Sequence, residues 1–276
     1  MMERLRSIDW GVLAYLLLAS AVAIGRIGRI PGVEWSLIAN AAGMLFVVLI
    51  TRPDLGRFGR ILRELYPLLL VILFYGALDL VSGHGGITTY EKTVQRWEVA
   101  VFGSQVSRTW WQQYPSPFWS TVLHAVYASY YLVIAAGPIL FLVRGDQRNL
   151  RGTVNAIAAT YGVCFVFFLL YPVAGPNYEF PRPSAEFLDN PPARLVYSLL
   201  QRGSSYGAAF PSSHVAAAIT AALATFQGDR RWGMVLLLPA ATLPIAVVYT
   251  QMHYGMDAIF GVLVGVLVFL LVRRKW

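Results

Sequence analysis

The chain has 276 residues, of which 57% are hydrophobic and only 13% charged, with a mean hydropathy of +0.56 and a formal net charge of +8. Soluble domains carry about a quarter charged residues, so a soluble globular protein is excluded, and the apolar runs lack the two-residue alternation of a membrane β-barrel. The basic residues cluster between the apolar runs, which assigns the charge to membrane orientation and anionic head groups and excludes nucleic acid as a partner.

A helix that crosses a bilayer needs about 20 mostly apolar residues. The first such run, 9–26, follows Arg4 and Arg6 and has the outline of a signal peptide; it reads as a first spanning helix that also targets the chain. Further runs follow at 33–51, 64–82, 117–143, 153–173, 212–228, 232–250 and 255–273. The expected fold is therefore an all-α integral membrane protein of about eight transmembrane helices, with two N-terminal helices in 1–60 and a six-helix core in 61–276. The lone cysteine, Cys164, lies inside an apolar run and excludes an intrachain disulfide.

Two long connections, 83–116 and 174–211, interrupt otherwise short turns, and long connections in a membrane protein are often functional. The segment 88–112 mixes charges with Trp97, Phe102, Trp110 and Trp111. It predicts an interfacial amphipathic helix, serving as an aromatic belt or as one wall of a lipid-access groove. The stretch 191–202 predicts a short helix lying over the site. With the N-terminus inside, the inner segments hold 14 Lys and Arg and the outer ones 8. That bias predicts N-in and C-in, in the plasma (inner) membrane, with both long connections on the outer face.

The polar exceptions then stand out. Only 4 histidines occur, and two of them, His214 and His253, begin apolar runs on the outer side. In Phe210-Pro211-Ser212-Ser213-His214 the serine suits a helix cap and the proline a first turn, so His214 stands beside unpaired amides and the positive dipole end, where an anion is favoured. In His253-Tyr254-Gly255-Met256-Asp257 the carboxylate four residues on can accept one ring N–H and leave the other nitrogen free for proton transfer. Each segment alone also fits a structural role, a helix cap or a pair holding helices together.

Together, Pro211, Ser212 and His214 followed by His253 and Asp257 resemble the signature of the type 2 phosphatidic acid phosphatase superfamily, over about the last six spans. The resemblance implies a metal-independent, cofactor-free cleavage of a lipid phosphate ester through a phosphohistidine. It assigns His214 as nucleophile and His253, held by Asp257, as acid and base, with Arg182, Ser212 and Ser213 binding phosphate. Departures accompany it. Arg182-Pro183 fits the end of the family's first motif, but its lysine position is Gly175; the Ser-Arg before the second histidine falls on Ala246 and Val247; the glycine before the first histidine is Ser213. Arg194 or Arg202 would have to replace the missing cations. The His-Tyr-x-x-Asp pattern resembles the inositol phosphorylceramide synthases and sphingomyelin synthases, and Phe-Pro-Ser-x-His-Val is similar to the inositol phosphotransferase pattern; the resemblance implies a lipid phosphate donor and inositol or another alcohol as acceptor.

A second expectation is thus a head-group phosphotransferase, and a third a non-enzymatic lipid or anion transporter with an outer anion pocket. Asp79 and Tyr249 are candidates for head-group contact, with interhelical bonding and aromatic packing as their plainer roles. His124, Asn40 and Asn155 read as structural, and Tyr206 as packing near the motif.

Overall fold

Apolar length sets the long helices. The computed structural model describes residues 5–52, 56–203 and 205–276; Arg4, counted above among the inner cations, lies outside them. Among the described residues the elements are helices without strands: α1 (Ser7–Ile24), α2 (Glu34–Ile50), α3 (Gly56–Ser82), α4 (Glu91–Phe102), α5 (Val106–Gln113), α6 (Pro117–Val143), α7 (Gln147–Leu170), α8 (Pro176–Glu179), α9 (Ala185–Leu188), α10 (Pro191–Gly203), α11 (Ser213–Gly228), α12 (Arg230–Tyr249) and α13 (Gly255–Val272). Six of these, α1, α3, α6, α7, α12 and α13, are long and apolar enough to cross a membrane by length and composition. The remaining two expected spans form shorter helices, α2 with 17 residues and α11 with 16.

The helix starts follow local chemistry. The side chains of Ser116, Asp146, Ser212 and Asp229 accept backbone N–H groups at the starts of α6, α7, α11 and α12. Arg144 donates to Asp229 at 2.7 Å, which ties the α6–α7 turn to the α11–α12 turn. Two helices begin earlier than apolar length alone indicates. α3 starts at Gly56 and α7 at Gln147, because their first turns are amphipathic and interleave arginines with apolar residues. The segment 88–112 forms two helices, α4 and α5, broken at Gly103, whose left-handed φ of 74° ends α4.

α11 is the centre of the bundle and packs against α6, α7, α12 and α13. Its alanines are buried, and α13 meets it with Gly261 and Gly265. A Cβ at Gly261 would lie 2.8 Å from the Ser212 carbonyl, and one at Gly265 2.6 Å from that of Ala216. This small-xxx-small spacing lets the two backbones touch. Thr220 adds hydrogen bonds from inside α11 to the Gly265 carbonyl at 3.0 Å and to Thr160 of α7 at 2.9 Å. Elsewhere the long helices present large apolar side chains outward, including Trp10, Ile72, Leu132, Val143 and Leu238, as a lipid-facing surface does.

α1 and α2 pack on each other, and α1 also rests on α3 and α7. Asn40 donates to Ser20 between α1 and α2 at 3.1 Å, the interhelical role expected of it. The tie from α1 to α3 is ionic and buried: Arg63 grips both Asp9 oxygens at 2.8 and 2.6 Å, and the Tyr66 hydroxyl donates to the same carboxylate. Removing one member of a buried pair typically costs about 3–5 kcal/mol, because it strands the other charge. Asp9→Ala should therefore lower thermal stability in detergent sharply, and Asp9→Ala with Arg63→Met should recover part of the loss; a thermal-unfolding series of the two variants checks this.

Candidate active site

The site lies where the starts of α11 and α13 meet. Ser212 caps α11: its Oγ accepts the Val215 N–H at 3.4 Å, and its own N–H donates to the Asp257 carbonyl in the first turn of α13 at 3.0 Å. Ser212 and Ser213 are buried, and His214 follows in the first turn. His253 stands just before α13, not within it, because Tyr254 is the cap of that helix. Asp257 then occupies the third helical position, where its Oδ2 accepts the Tyr254 N–H at 2.9 Å and lies 3.4 Å from His253 Nδ1. The carboxylate both caps α13 and faces the imidazole.

A second acceptor fixes His253 more firmly. Its Nδ1 lies 3.1 Å from the Ala209 carbonyl. A carbonyl oxygen only accepts, so Nδ1 carries the proton and the neutral ring keeps its lone pair on Nε2. His253 is 5% exposed, and burial pushes its pKa down from 6.5 to about 4, so the ring is neutral at physiological pH. The His214 ring centroid is 5.6 Å from that of His253. His214 is otherwise set among tyrosines: its Nε2 is 3.3 Å from the Tyr127 hydroxyl, its ring lies 4.5 Å from that of Tyr130, and its Nδ1 is buried without a protein partner.

The two long connections hold this arrangement. A short parallel bridge joins Val173 to the segment before α11, with Val173 N–H on the Gly207 carbonyl at 3.1 Å and Ala209 N–H on the Val173 carbonyl at 2.9 Å. That bridge places the Ala209 carbonyl against His253. The turn from α12 is pinned by the Val247 carbonyl, which accepts from both Met252 at 2.9 Å and His253 at 3.0 Å. Gln251 bonds Trp111 at 2.8 Å and the Pro181 carbonyl at 2.8 Å, joining α5 and the 174–211 connection to the same turn.

Two buried glutamates on one face of α4 complete the scaffold. Glu91 accepts the Tyr254 hydroxyl at 2.5 Å and the N–H groups of Ala174 and Gly175 at 2.6 and 3.0 Å. Glu98 accepts the first N–H of α13, from Gly255, at 2.8 Å, and Ser107 from α5 by backbone and hydroxyl at 3.2 and 3.1 Å. Burial pushes both carboxyls up, against the pull of the N–H and O–H groups they accept.

The expected phosphate cations are elsewhere. Arg182 is exposed, with its guanidinium 5.3 Å from the Tyr197 ring. Arg194 pairs with Asp189 at 2.8 Å on the surface, and the Arg202 side chain lies outside the described residues. The lysine position of the motif, Gly175, has a φ of 100°, and a Cβ there would lie 3.0 Å from the Ala209 Cβ. Ala246 and Val247 are fully buried in α12. Asp79 accepts the Tyr206 N–H at 3.3 Å and so fastens the 205–207 turn to α3, helped by Ser205 on the Tyr75 carbonyl at 2.8 Å. The Tyr249 hydroxyl donates to the Tyr114 carbonyl at 2.8 Å and holds the end of α5. His124 is buried, with Nδ1 2.7 Å from the Ser120 carbonyl one turn back.

The sequence reading singled out His214, His253, Asp257, Ser212 and Ser213, and the fold brings all five together. It missed Tyr127, Tyr130, the Ala209 carbonyl and the two glutamates of α4. The glutamates had a signal: charged residues at a seven-residue spacing on the buried face of an otherwise interfacial helix. Among the described residues, no group of three or more His, Cys, Asp or Glu could hold a metal ion.

Glu98→Ala orphans the Gly255 and Ser107 N–H groups, at about 1–3 kcal/mol for each group left unpaired. Thermal stability and turnover should both fall, whereas Glu98→Gln, which keeps an acceptor for Gly255, should lose less of each; unfolding temperature and initial rate measured on both variants check the order.

No curated protein and no solved structure matches the chain. The model of a protein family described as the PAP2 superfamily matches residues 94–271, from α4 into the last turns of α13 and across both histidines. That is more than half of the chain, and this integral membrane protein therefore belongs to the PAP2 superfamily, whose members are phosphatases and phosphotransferases.

Proposed function

We propose that the protein cleaves a membrane-lipid phosphate ester through a phosphohistidine, without a metal, and passes the phosphoryl group to water or to an alcohol. The observation that carries this reading is the fixed tautomer of His253. With Nδ1–H held by the Ala209 carbonyl and Asp257, its Nε2 lone pair is free, and Asp257 stands ready to stabilise the imidazolium that forms as Nε2 bonds to phosphorus. Among the described residues His214 has no carboxylate behind it and one ring nitrogen without a partner, which suits proton transfer to and from substrate oxygen. This reading exchanges the roles suggested by the resemblance, making His253 the nucleophile and His214 the acid and base.

In the first step the His253 Nε2 lone pair attacks phosphorus, the bond from phosphorus to the leaving oxygen breaks, and protonated His214 gives that oxygen its proton. In the second, a water or alcohol oxygen attacks phosphorus, neutral His214 takes its proton, and the N–P bond breaks with its electron pair returning to Nε2. Ser212 and Ser213 lie at the helix start, where first-turn N–H groups and the dipole favour an anion.

The surroundings favour a singly charged donor. With Gly175, Ala246 and Val247 at the cation positions, and with Arg182 against the Tyr197 ring and Arg194 bonded to Asp189, the described residues offer fewer positive charges to phosphoryl oxygens than a monoester dianion calls for. A phosphodiester lipid with inositol or a similar alcohol as acceptor is the corresponding reaction. An apolar groove of about 610 Å3 runs between α4–α5 and α12–α13, lined by Phe102, Trp110, Ile245 and Leu263 and reaching Gly255 beside the site, and it suits an acyl chain. The same reading takes α2 and α11 as the seventh and eighth membrane crossings. α11 need not be long or strongly apolar, because its neighbours in the bundle shield it from lipid. The Lys and Arg bias then puts both termini inside, with the site on the outer face of the plasma membrane.

Purified enzyme assayed against lipid phosphomonoesters and phosphodiesters, with and without inositol, should give new phospholipid from the diester; free phosphate under every condition would indicate a phosphatase. His253→Ala should abolish a trapped acid-labile phosphoenzyme. His214→Ala should lose about 10²–10⁴-fold on a lipid alcohol leaving group, the usual scale of acid–base assistance, but far less on a nitrophenyl ester, which leaves without a proton. The reverse pattern would return the nucleophile to His214.

The pH dependence follows from burial. As pH falls through the His253 pKa of about 4, the ring gains a proton and loses its lone pair, so the nucleophile sets an acid limb of the rate profile near 4 and not near 6.5. Phosphoenzyme formation from a nitrophenyl ester, measured from pH 3 to 8, isolates that limb.

A further inference from the structure

The two histidines are held by partners of different kinds. His253 Nδ1 meets a carbonyl and a carboxylate, the Ala209 oxygen and Asp257 Oδ2. The hydrogen-bond partner shown for His214 is a phenol: Tyr127 Oη lies 3.3 Å from Nε2, while Nδ1 is buried without a protein partner. Tyr127 comes from the buried face of α6, which carries Ser120, His124 and Tyr130 at helical spacing and packs against α11. Its ring lies 5.2 Å from the imidazole at 31°, and the Tyr130 ring 4.5 Å from it at 54°. The two tyrosines differ in what their hydroxyls do. That of Tyr130 pairs with the Tyr161 hydroxyl of α7, whereas that of Tyr127 meets the imidazole.

The two tasks call for this difference. In the proposed reaction His253 becomes a cation as Nε2 bonds to phosphorus, and the Asp257 carboxylate stabilises that charge. His214 has the opposite task in the same step, because it must give up a proton. A carboxylate behind it would favour the imidazolium and weaken the acid. An apolar neighbour would leave a buried N–H unpaired and the ring free to turn over. A neutral acceptor avoids both. A phenol oxygen accepts an N–H through a lone pair and keeps its own O–H.

We propose that Tyr127 is the positioning residue of His214: its oxygen accepts the Nε2–H, which puts the lone pair of the neutral ring on Nδ1 and leaves that nitrogen to exchange a proton with substrate oxygen. The role rests on the reading of His214 as acid and base. Each histidine then has one nitrogen held by an oxygen and one left for chemistry, in opposite tautomers, Nδ1–H in His253 and Nε2–H in His214. The Tyr127 O–H, not used by the ring, is left to donate to a phosphoryl oxygen. Tyr127→Phe keeps the ring contact and removes the oxygen, so His214 loses its acceptor and the packing of α6 on α11 stays.

Nitrogen-15 NMR of the detergent-purified full chain reads the tautomer. The chain has 4 histidines, and the spectrum of His214→Ala identifies the His214 signals by difference. Wild type at neutral pH should show Nε2 protonated and Nδ1 bare, and Tyr127→Phe should move the ring toward a mixture of tautomers. A protonated Nδ1 on neutral His214 in wild type would overturn the proposal. Kinetics read the consequence. Tyr127→Phe should lose roughly tenfold more in kcat on a lipid ester than on a nitrophenyl ester, the scale of one hydrogen bond at the transition state, with KM for the lipid little changed. That excess should vanish in the His214→Ala background. An equal loss on both esters, or an excess that persists without His214, would also overturn it. A His214→Ala variant that loses alike on both esters would instead overturn the proposed reaction, and the nitrogen signals would still report the tautomer.

Discussion

The close approach of α11 to α13 governs the end of the molecule that holds the histidines. Gly261 and Gly265 bring one helix backbone against the other, and the Ser212 N–H on the Asp257 carbonyl locks their starts in register. Each histidine is placed by a helix start, so the distance between them is a property of helix packing and not of either side chain. A Cβ at Gly261 would press on the Ser212 carbonyl, the residue that caps α11 beside His214. Site geometry and core packing are in this sense one constraint.

From that contact outward, the connections supply what the helices lack. An imidazole on a flexible turn would sample two tautomers. Here the bridge between Val173 and Ala208 delivers a carbonyl to Nδ1, and the Val247 carbonyl fixes the backbone of the same residue. Glu91 and Glu98 anchor α4 to the start of the 174–211 connection and to the first N–H of α13. Burying two carboxylates this way is costly unless their oxygens are satisfied, and both are met by N–H and O–H groups. Gly175 belongs to this scaffold as well: its left-handed backbone packs on Ala209 and donates to Glu91, which explains why a long cationic side chain does not occupy the position.

The long apolar helices were legible because apolar length is a one-dimensional signal. The run 117–143 coincides with α6, and 212–228 with α11 to within a residue. The errors fell where that signal fades, at the amphipathic starts of α3 and α7, which stay helical while carrying arginines. The site was legible where a motif confines its parts to a few residues, as for Ser212 to His214 and His253 to Asp257. It was not legible where partners come from distant elements. Tyr127 is 87 residues from His214, and Ala209 is 44 from His253. Backbone carbonyls leave no trace in composition at all. Asp79 and Tyr249 lie on the same side as the histidines, where the hydrogen bonds shown fasten the 205–207 turn and the end of α5.

Charge distribution links the two ends of the bundle. At the histidine end the guanidiniums of Arg182 and Arg194 are occupied with an aromatic ring and a surface carboxylate. At the other end, Arg6, Arg148 and Arg151 stand at the starts of α1 and α7. In the proposed reaction, and among the described residues, a phosphate at the histidines is met mostly by dipoles: helix-start N–H groups, serine hydroxyls and the Tyr127 phenol. Dipoles stabilise a monoanion far better than a dianion, because the desolvation cost of an ion rises with the square of its charge while its attraction to a fixed dipole rises only in proportion. A phosphodiester carries one charge and keeps one through an in-line displacement by a neutral histidine. The reaction we propose follows the same balance: a site poor in cations and rich in oriented N–H and O–H groups suits exchanging one ester for another, with an alcohol at the acceptor position and water as the lesser competitor.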